Sequence, residues 1–444
     1  MHSSPVTDRR CHTRQRAVRI APVANQHRGN TSAGADTTEH PSCRVCGSAG
    51  IRLVLDLGKV PLANSFIEPA DQHEPEPTFS LGIQFCPTCA IVQIPETVDP
   101  EVLFSHYLYT PSASTIWRDH CDELATWLRD EVGDPGAFVV EPASNDGCLL
   151  RSIQRWTPNV LGVEPARNIA ELAVRDGIPT IIEFFGEATA RAIRAERGPA
   201  RVVIGTNVLA HVPNLVDFLR GAATLLDEDG ILVIEAPYLR DLVEMVAYDT
   251  IYHEHVSYLS VTALARVYPI AGLVLTHVER TPTHGGSIRF VGRRAGAEPD
   301  ESVARFLAEE AALGYADGSA LADFAERVDR LRRQLSETIQ AETGAGRTLA
   351  AYGATAKGNT LLTTCDIDPG AIRYIVDRNP LKQGLRTPGS HIPVVGPERL
   401  EHDPVDVLLI LAWNIAGEVV EQQGWFAARG GRFLIPIPEP HFVD

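Results

Sequence analysis

Phe138-Val139-Val140-Glu141-Pro142-Ala143-Ser144-Asn145-Asp146-Gly147 runs three strand-forming residues into a carboxylate, then into a turn of small residues that opens a helical pattern. An open parallel sheet receives a nucleotide-like ligand at such a turn, because small side chains let the backbone approach it. Outward from this segment, Val160–Val163, Ile178–Ile182, Val202–Ile204 and Ile231–Ile234 repeat the apolar run, each followed by a stretch long enough for a helix. The alternation predicts a parallel sheet covered on both faces. Leu273–Val278 and Ser287–Val291 flank a short turn containing Gly285-Gly286 and read as an antiparallel hairpin that closes the sheet.

The chemistry of the turn narrows its ligand. No lysine follows it, and Glu141 and Asp146 would repel a pyrophosphate. S-adenosylmethionine, with a positive sulfonium and no phosphate, fits an acidic loop; a nicotinamide dinucleotide is the alternative. Glu164 ends the next strand, about twenty residues on, where a carboxylate accepts ribose hydroxyls. Ala143 and Asn145 stand where the usual acidic-x-Gly-x-Gly-x-Gly loop has glycines, ahead of Gly147. Glu183, after the third strand, is placed either to meet an adenine amine or to cap a helix at the surface. Seven strands in this order suit a class I methyltransferase fold, a Rossmann-like α/β domain, over residues 116–298.

The rest of the 444-residue chain divides around that domain. Residues 1–40 lack periodicity and read as a disordered leader. Residues 41–115 are short apolar runs and Pro-rich turns with two cysteine pairs, a small module that needs a staple. Residues 299–341 carry a helical period broken near Gly314–Gly318, a connector. Residues 342–444 restart the alternation at Leu349–Tyr352, Tyr374–Val376, Val405–Leu411 and Arg432–Ile435, a second, smaller Rossmann-like α/β domain. A net charge of −17 argues against nucleic acid and anionic membrane as partners. No eighteen-residue apolar run and no secretory core occur, so the cytoplasm is the expected compartment.

Cys43-Arg44-Val45-Cys46 and Cys86-Pro87-Thr88-Cys89 each offer two thiolates to one tetrahedral ion. Four thiolates leave no open position, which predicts a structural zinc site; a redox dithiol and an iron–sulfur cluster are the alternatives. Cys11, Cys121, Cys148 and Cys365 are scattered and read as free thiols.

Past the fourth strand come Asn207 and His211, where reacting groups of such sheets emerge, though a histidine there also caps helices. After the fifth, Tyr252-His253-Glu254-His255-Val256-Ser257-Tyr258 crowds polar and ionisable side chains together. The two histidines are two apart, not the four of a zinc-binding helix, so an acid–base cluster is the better reading. Histidine titrates near neutrality, and tyrosine donates to a developing oxyanion.

At these residues the chain resembles the sugar C-3 methyltransferases that act on thymidine-diphosphate-linked 4-keto-6-deoxy sugars. The likeness runs in order from the first cysteine pair through Pro61-Leu62-Ala63-Asn64-Ser65-Phe66, the second pair and Asn145-Asp146-Gly147 to Asn207 with His211. It continues through Tyr252-x-Glu254-His255, His284-Gly285-Gly286-Ser287-Ile288-Arg289, Gly353-Ala354-Thr355-Ala356-Lys357 and Pro388-Gly389-Ser390-His391-Ile392-Pro393. His253 and Tyr258 depart from the family pattern. The resemblance implies that His255 removes the C3 proton made acidic by the C4 ketone. Tyr252, Glu254, His211 and Tyr107 or Tyr109 would then hold the substrate oxygens and set the imidazole tautomer. The expected substrate is a nucleotide sugar, with Lys357 and Arg289 as candidates for its diphosphate. A methyltransferase of the same architecture acting on another carbon or on a hydroxyl, and a non-enzymatic zinc-ribbon binding protein, are the competing functions.

Overall fold

The computed structural model describes residues 37–104, 112, 115–281 and 286–443. Tyr107, Tyr109, His284, Gly285 and residues 1–36 lie outside the described residues.

Seven strands form the central sheet, in the order Leu273–Thr281, Ser287–Arg294, Leu226–Pro237, Ala200–Thr206, Val139–Pro142, Val160–Val163, Thr180–Ile181. The first two pair antiparallel to each other, and the second pairs antiparallel to Leu226–Pro237; the other pairs are parallel. Chain order reverses between Val139–Pro142 and Ala200–Thr206, and the crevice outside the carboxyl ends of these two strands is the binding place of an open α/β sheet. Runs such as Val202–Val203–Ile204 and Leu232–Val233–Ile234 are fully buried because helices cover both faces.

The N-terminal module is a four-stranded sheet in the order Ser257–Tyr258, Val92–Gln93, Phe79–Phe85, Arg52–Val60. Its edge strand comes from the central domain, immediately after the His255 segment. Folding of the module therefore anchors that segment. The structured part begins earlier than the sequence suggests: Thr37–Glu39 pairs antiparallel with Glu96–Val98, so the end of the expected leader is a strand. Residues 37–39 carry no apolar signal because all three are exposed and owe their place to backbone hydrogen bonds.

The helices Glu301–Leu313 and Phe324–Gly344 bracket a break in which Gly314 and Gly318 take positive φ. The C-terminal sheet has six strands in the order Val394–Val395, Ile372–Val376, Leu349–Tyr352, Val407–Ile410, Arg432–Ile435, His441–Val443, and only the last pairs antiparallel. One apolar cluster runs from the N-terminal sheet (Leu81, Ile83) through Tyr248 and Phe324 to Leu349 and Val407, so the domains share a core. Among the described residues no helix is long and apolar enough to cross a membrane.

Candidate active site

A cavity of about 760 Å³ opens at the reversal point, and all three domains line it. Its first wall is the turn at 141–147. Ala143, Asn145 and Gly147 all take positive φ, which folds the chain into a cradle between strand and helix. Only Gly147 adopts that conformation without a side-chain penalty, and there a Cβ would lie 2.9 Å from Ile178 Cγ1. Glu164 accepts from the Asn145 amide at 2.9 Å and the Ala166 amide at 2.8 Å, which holds both carboxylate oxygens at the cavity.

No lysine or arginine of this wall lines the cavity; Arg151 lies behind it, 3.9 Å from Asp146 Oδ1. Glu141 Oε2, Ser144 Oγ and Asp146 Oδ1 are buried with no hydrogen-bond partner, and burial beside Cys148 and Asp146 pushes the Glu141 carboxyl well up. A buried carboxyl of this kind ionises when a positive group arrives. Glu141 and Asp146 suit the ammonium and sulfonium of S-adenosylmethionine, and Glu164 suits its ribose; a pyrophosphate would meet three carboxylates. Asn207, also at positive φ, and the rings Phe184, Phe185 and Trp117 complete the lining. Glu183 does not belong to it: the side chain is exposed while its two phenylalanine neighbours face the cavity.

The second wall holds the acid–base cluster. His255 Nδ1 lies 2.9 Å from the Thr250 carbonyl, which only accepts, so Nδ1 carries the proton and Nε2 the lone pair. The Tyr252 hydroxyl donates to Nε2 at 2.9 Å. Burial, with His211 next, depresses the imidazole pKa well below the ordinary histidine value and keeps the ring neutral at pH 7. His211 repeats the device: Nδ1 lies 2.8 Å from the Glu254 carbonyl, burial lowers its pKa to about 4, and its ring meets that of His255 edge-on at 4.7 Å. Glu254 is pushed up to about 7 by burial, against the opposing pull of Asn64 and Lys382. His253 turns away into the N-terminal sheet, 1 % exposed and edge-on to Phe79 at 5.7 Å.

The C-terminal domain supplies a third, basic wall. Thr355 caps the helix Ala356–Thr364 by accepting from the Gly358 amide at 3.0 Å, and Thr355, Ala356 and Lys357 face the cavity. Lys357 Nζ sits over the Trp413 ring at 5.1 Å, near the fully buried Asp249. Lys382 reaches the cavity and donates to the Ala354 carbonyl at 2.7 Å. Asp377 is consumed locally, accepting from the Ala354 and Asn379 amides at 2.8 Å each.

Arg289 is elsewhere. It is 6 % exposed, donates to Glu235 at 2.7 Å, pairs also with Glu279, and stacks over Trp127 at 4.5 Å. A guanidinium held by two carboxylates has no free face for a phosphate; the glycines beside it in sequence misled because the strand alternation turns Arg289 away from the turn. The sequence assigns no role to Asn64, Lys382 or Trp117: Asn64 lies within the Pro61–Phe66 stretch of the family likeness, the other two carry no local pattern, and all three reach the cavity only through tertiary packing.

The four cysteines form one cluster away from the cavity. Cys43 and Cys89 sulfurs are 3.6 Å apart, Cys46 and Cys86 sulfurs 3.6 Å, and all four lie within 4.8 Å of one another. Tetrahedral zinc thiolates lie roughly 3.8 Å apart, so the set fits zinc. Each knuckle closes alike, with the Gly47 amide on the Cys43 carbonyl at 2.9 Å, the Ala90 amide on the Cys86 carbonyl at 2.8 Å, and both closing residues at positive φ. Arg44, inside the first knuckle, donates to the Pro213 carbonyl at 2.7 Å and Ser257 Oγ at 3.0 Å. The knuckle thus docks beside the His255 segment.

Known proteins share this arrangement. A zinc binding domain model matches residues 43–104, a methyltransferase domain model residues 115–278 and a C-methyltransferase C-terminal domain model residues 282–438. The C-methyltransferase NovU of Streptomyces niveus is 36% identical over 405 residues, 90% of this chain and 96% of that protein. Among solved structures, magnesium protoporphyrin IX methyltransferase from Synechocystis PCC 6803 with bound S-adenosylmethionine is 16% identical, with a TM-score of 0.31, over 40% of this chain and 79% of its own. The CcbJ methyltransferase of Streptomyces caelestis is 14% identical, with a TM-score of 0.32, over 40% of this chain and 90% of its own. Nothing about this chain rests on likenesses as low as these two.

Proposed function

The chain belongs to the zinc-containing, S-adenosylmethionine-dependent C-methyltransferase family, and on that premise we propose that it methylates C3 of a nucleotide-linked 4-keto-6-deoxy sugar in the cytoplasm. The observation that carries the proposal is the neutral His255, its Nδ1 proton fixed on Thr250 and its Nε2 lone pair aimed toward Tyr252 in the cavity that Glu141 and Glu164 line. Nε2 takes the C3 proton. The Tyr252 hydroxyl, displaced from Nε2 by the substrate, donates to the oxygen that gains charge as the enolate forms. Glu254 and His211 hold the neighbouring sugar oxygens, with Tyr107 or Tyr109 assigned the same duty by family resemblance. Glu141, Ala143, Asn145, Asp146, Gly147, Glu164 and Asn207 form the cofactor seat, and S-adenosylmethionine supplies the electrophilic methyl group that the enolate carbon accepts.

The nucleotide belongs on the basic wall. Lys357 and the amino end of its helix offer the cationic surface that a diphosphate needs in an otherwise acidic protein. Incubation with methyl-labelled donor and a thymidine-diphosphate 4-keto-6-deoxy sugar, followed by locating the label, tests the reading. Label on C3 is expected; label on oxygen, or on a different carbon, overturns it.

A further inference from the structure

Pro61-Leu62-Ala63-Asn64-Ser65-Phe66 leaves the N-terminal sheet after the strand Arg52–Val60 and brings Asn64 to the cavity. Two amide contacts hold it, one to each neighbouring domain. Asn359, fully buried on the C-terminal domain's Ala356–Thr364 helix, donates Nδ2 to the Ala63 carbonyl at 2.6 Å. Asn64 donates Nδ2 to Glu254 Oε1 at 2.6 Å. An ionised carboxylate only accepts, so the amide nitrogen of Asn64 must face it.

Glu254 is the hinge of the second wall. Its backbone carbonyl fixes the His211 tautomer, its neighbour is His255, and its carboxyl lines the cavity. One carboxyl oxygen is taken by Asn64, which leaves the other for a ligand. We propose that Asn64 is a positioning residue for methyl transfer: its amide orients the Glu254 carboxyl toward substrate, so the zinc-bearing module completes an active site whose reacting groups belong to another domain. The proposal rests on the reading that Glu254 stands at the reacting centre.

The groups that face Glu254 set its protonation. Lys382 comes from the C-terminal domain and Asn64 from the N-terminal module, while Tyr252, His255 and His211 of the central domain line the same cavity. Of these, Asn64 and Lys382 favour the charged carboxylate, against burial. Removing the Asn64 donor therefore raises the titration of Glu254, and replacing it with a carboxylate raises it more.

Asn64→Ala and the isosteric Asn64→Asp are compared with the wild-type chain. The Glu254 carboxyl is followed by infrared difference titration in protein alone, assigned with Glu254→Gln. In both variants its titration is expected to move up by about one to two pH units, and the limb of the kcat profile that reports Glu254 to move with it. Turnover at saturating substrate should fall roughly ten- to a hundredfold. Zinc content and S-adenosylmethionine affinity by calorimetry should stay within about twofold of wild type. An unmoved titration in Asn64→Asp overturns the proposal, as does loss of zinc or cofactor binding in both variants, which would make Asn64 a purely structural staple. If the wild-type chain methylates no keto-sugar nucleotide, the functional reading fails, while the infrared titration still decides whether Asn64 controls Glu254.

Discussion

The two working walls of the cavity are built in opposite ways. The wall proposed for the cofactor comes from one domain and mostly from one turn, with positions 141–147 and Glu164 joined by backbone amides to a carboxylate. The wall proposed for the reaction, taken together with the basic wall beside it, is assembled from three domains: Asn64 from the first, His211, Tyr252, Glu254 and His255 from the second, Lys357 and Lys382 from the third. A local wall survives damage elsewhere; an assembled wall depends on every interface that builds it.

His255→Asn should separate the walls most sharply. Turnover is expected to drop by about two to four orders of magnitude, with cofactor affinity by calorimetry unchanged; retained methyl transfer would remove His255 from the role of base. Next comes the electrostatic cost stored in the assembled wall. The Glu254 carboxyl, raised from 4.5 to about 7, binds its proton more tightly in the folded protein than in the unfolded chain. Its contribution to stability is complete below about pH 4.5 and is lost as pH rises through 7. Relative to Glu254→Gln, the wild-type chain should lose about 3 kcal/mol between denaturant melts at pH 4.5 and pH 8. Equal pH slopes for the two proteins would mean that Glu254 is not desolvated.

Stripping zinc, by chelation or Cys86→Ser, loosens the module that supplies Asn64 and pairs with Ser257–Tyr258. Turnover should then fall roughly a hundredfold through misplacement of the His255 segment, while calorimetry still finds the cofactor bound. Equal loss of binding and turnover would erase the contrast between the walls. The smallest effect belongs to the local wall: Glu164→Gln should weaken S-adenosylmethionine about tenfold and leave turnover at saturating cofactor close to wild type.

Much of this was legible in the chain because it is written locally. The strand–turn–helix at 138–147 and the carboxylate of Glu164 lie within one βαβ unit, so their spacing fixes their geometry. The cysteine pairs were readable for the same reason, since each knuckle is one turn that closes on itself. Side-chain direction, which the sequence does not carry, chooses the surface reading for Glu183 and takes Arg289 away from the expected diphosphate into an ion pair with Glu235 and Glu279.

By itself, then, the sequence determined the α/β architecture, the turn at 138–147 that lines the cavity, the four cysteines that gather into one cluster, and the grouping of Tyr252, Glu254 and His255, because short-range periodicity and spacing encode them. Tertiary structure alone decided which protons those groups hold. The tautomer of His255 depends on the Thr250 carbonyl, its low basicity on burial beside His211, and the state of Glu254 on Asn64 and Lys382, brought from positions 190 residues before it and over a hundred after it. Desolvation and facing charge are properties of a packed interior, and no run of residues carries them until distant segments meet.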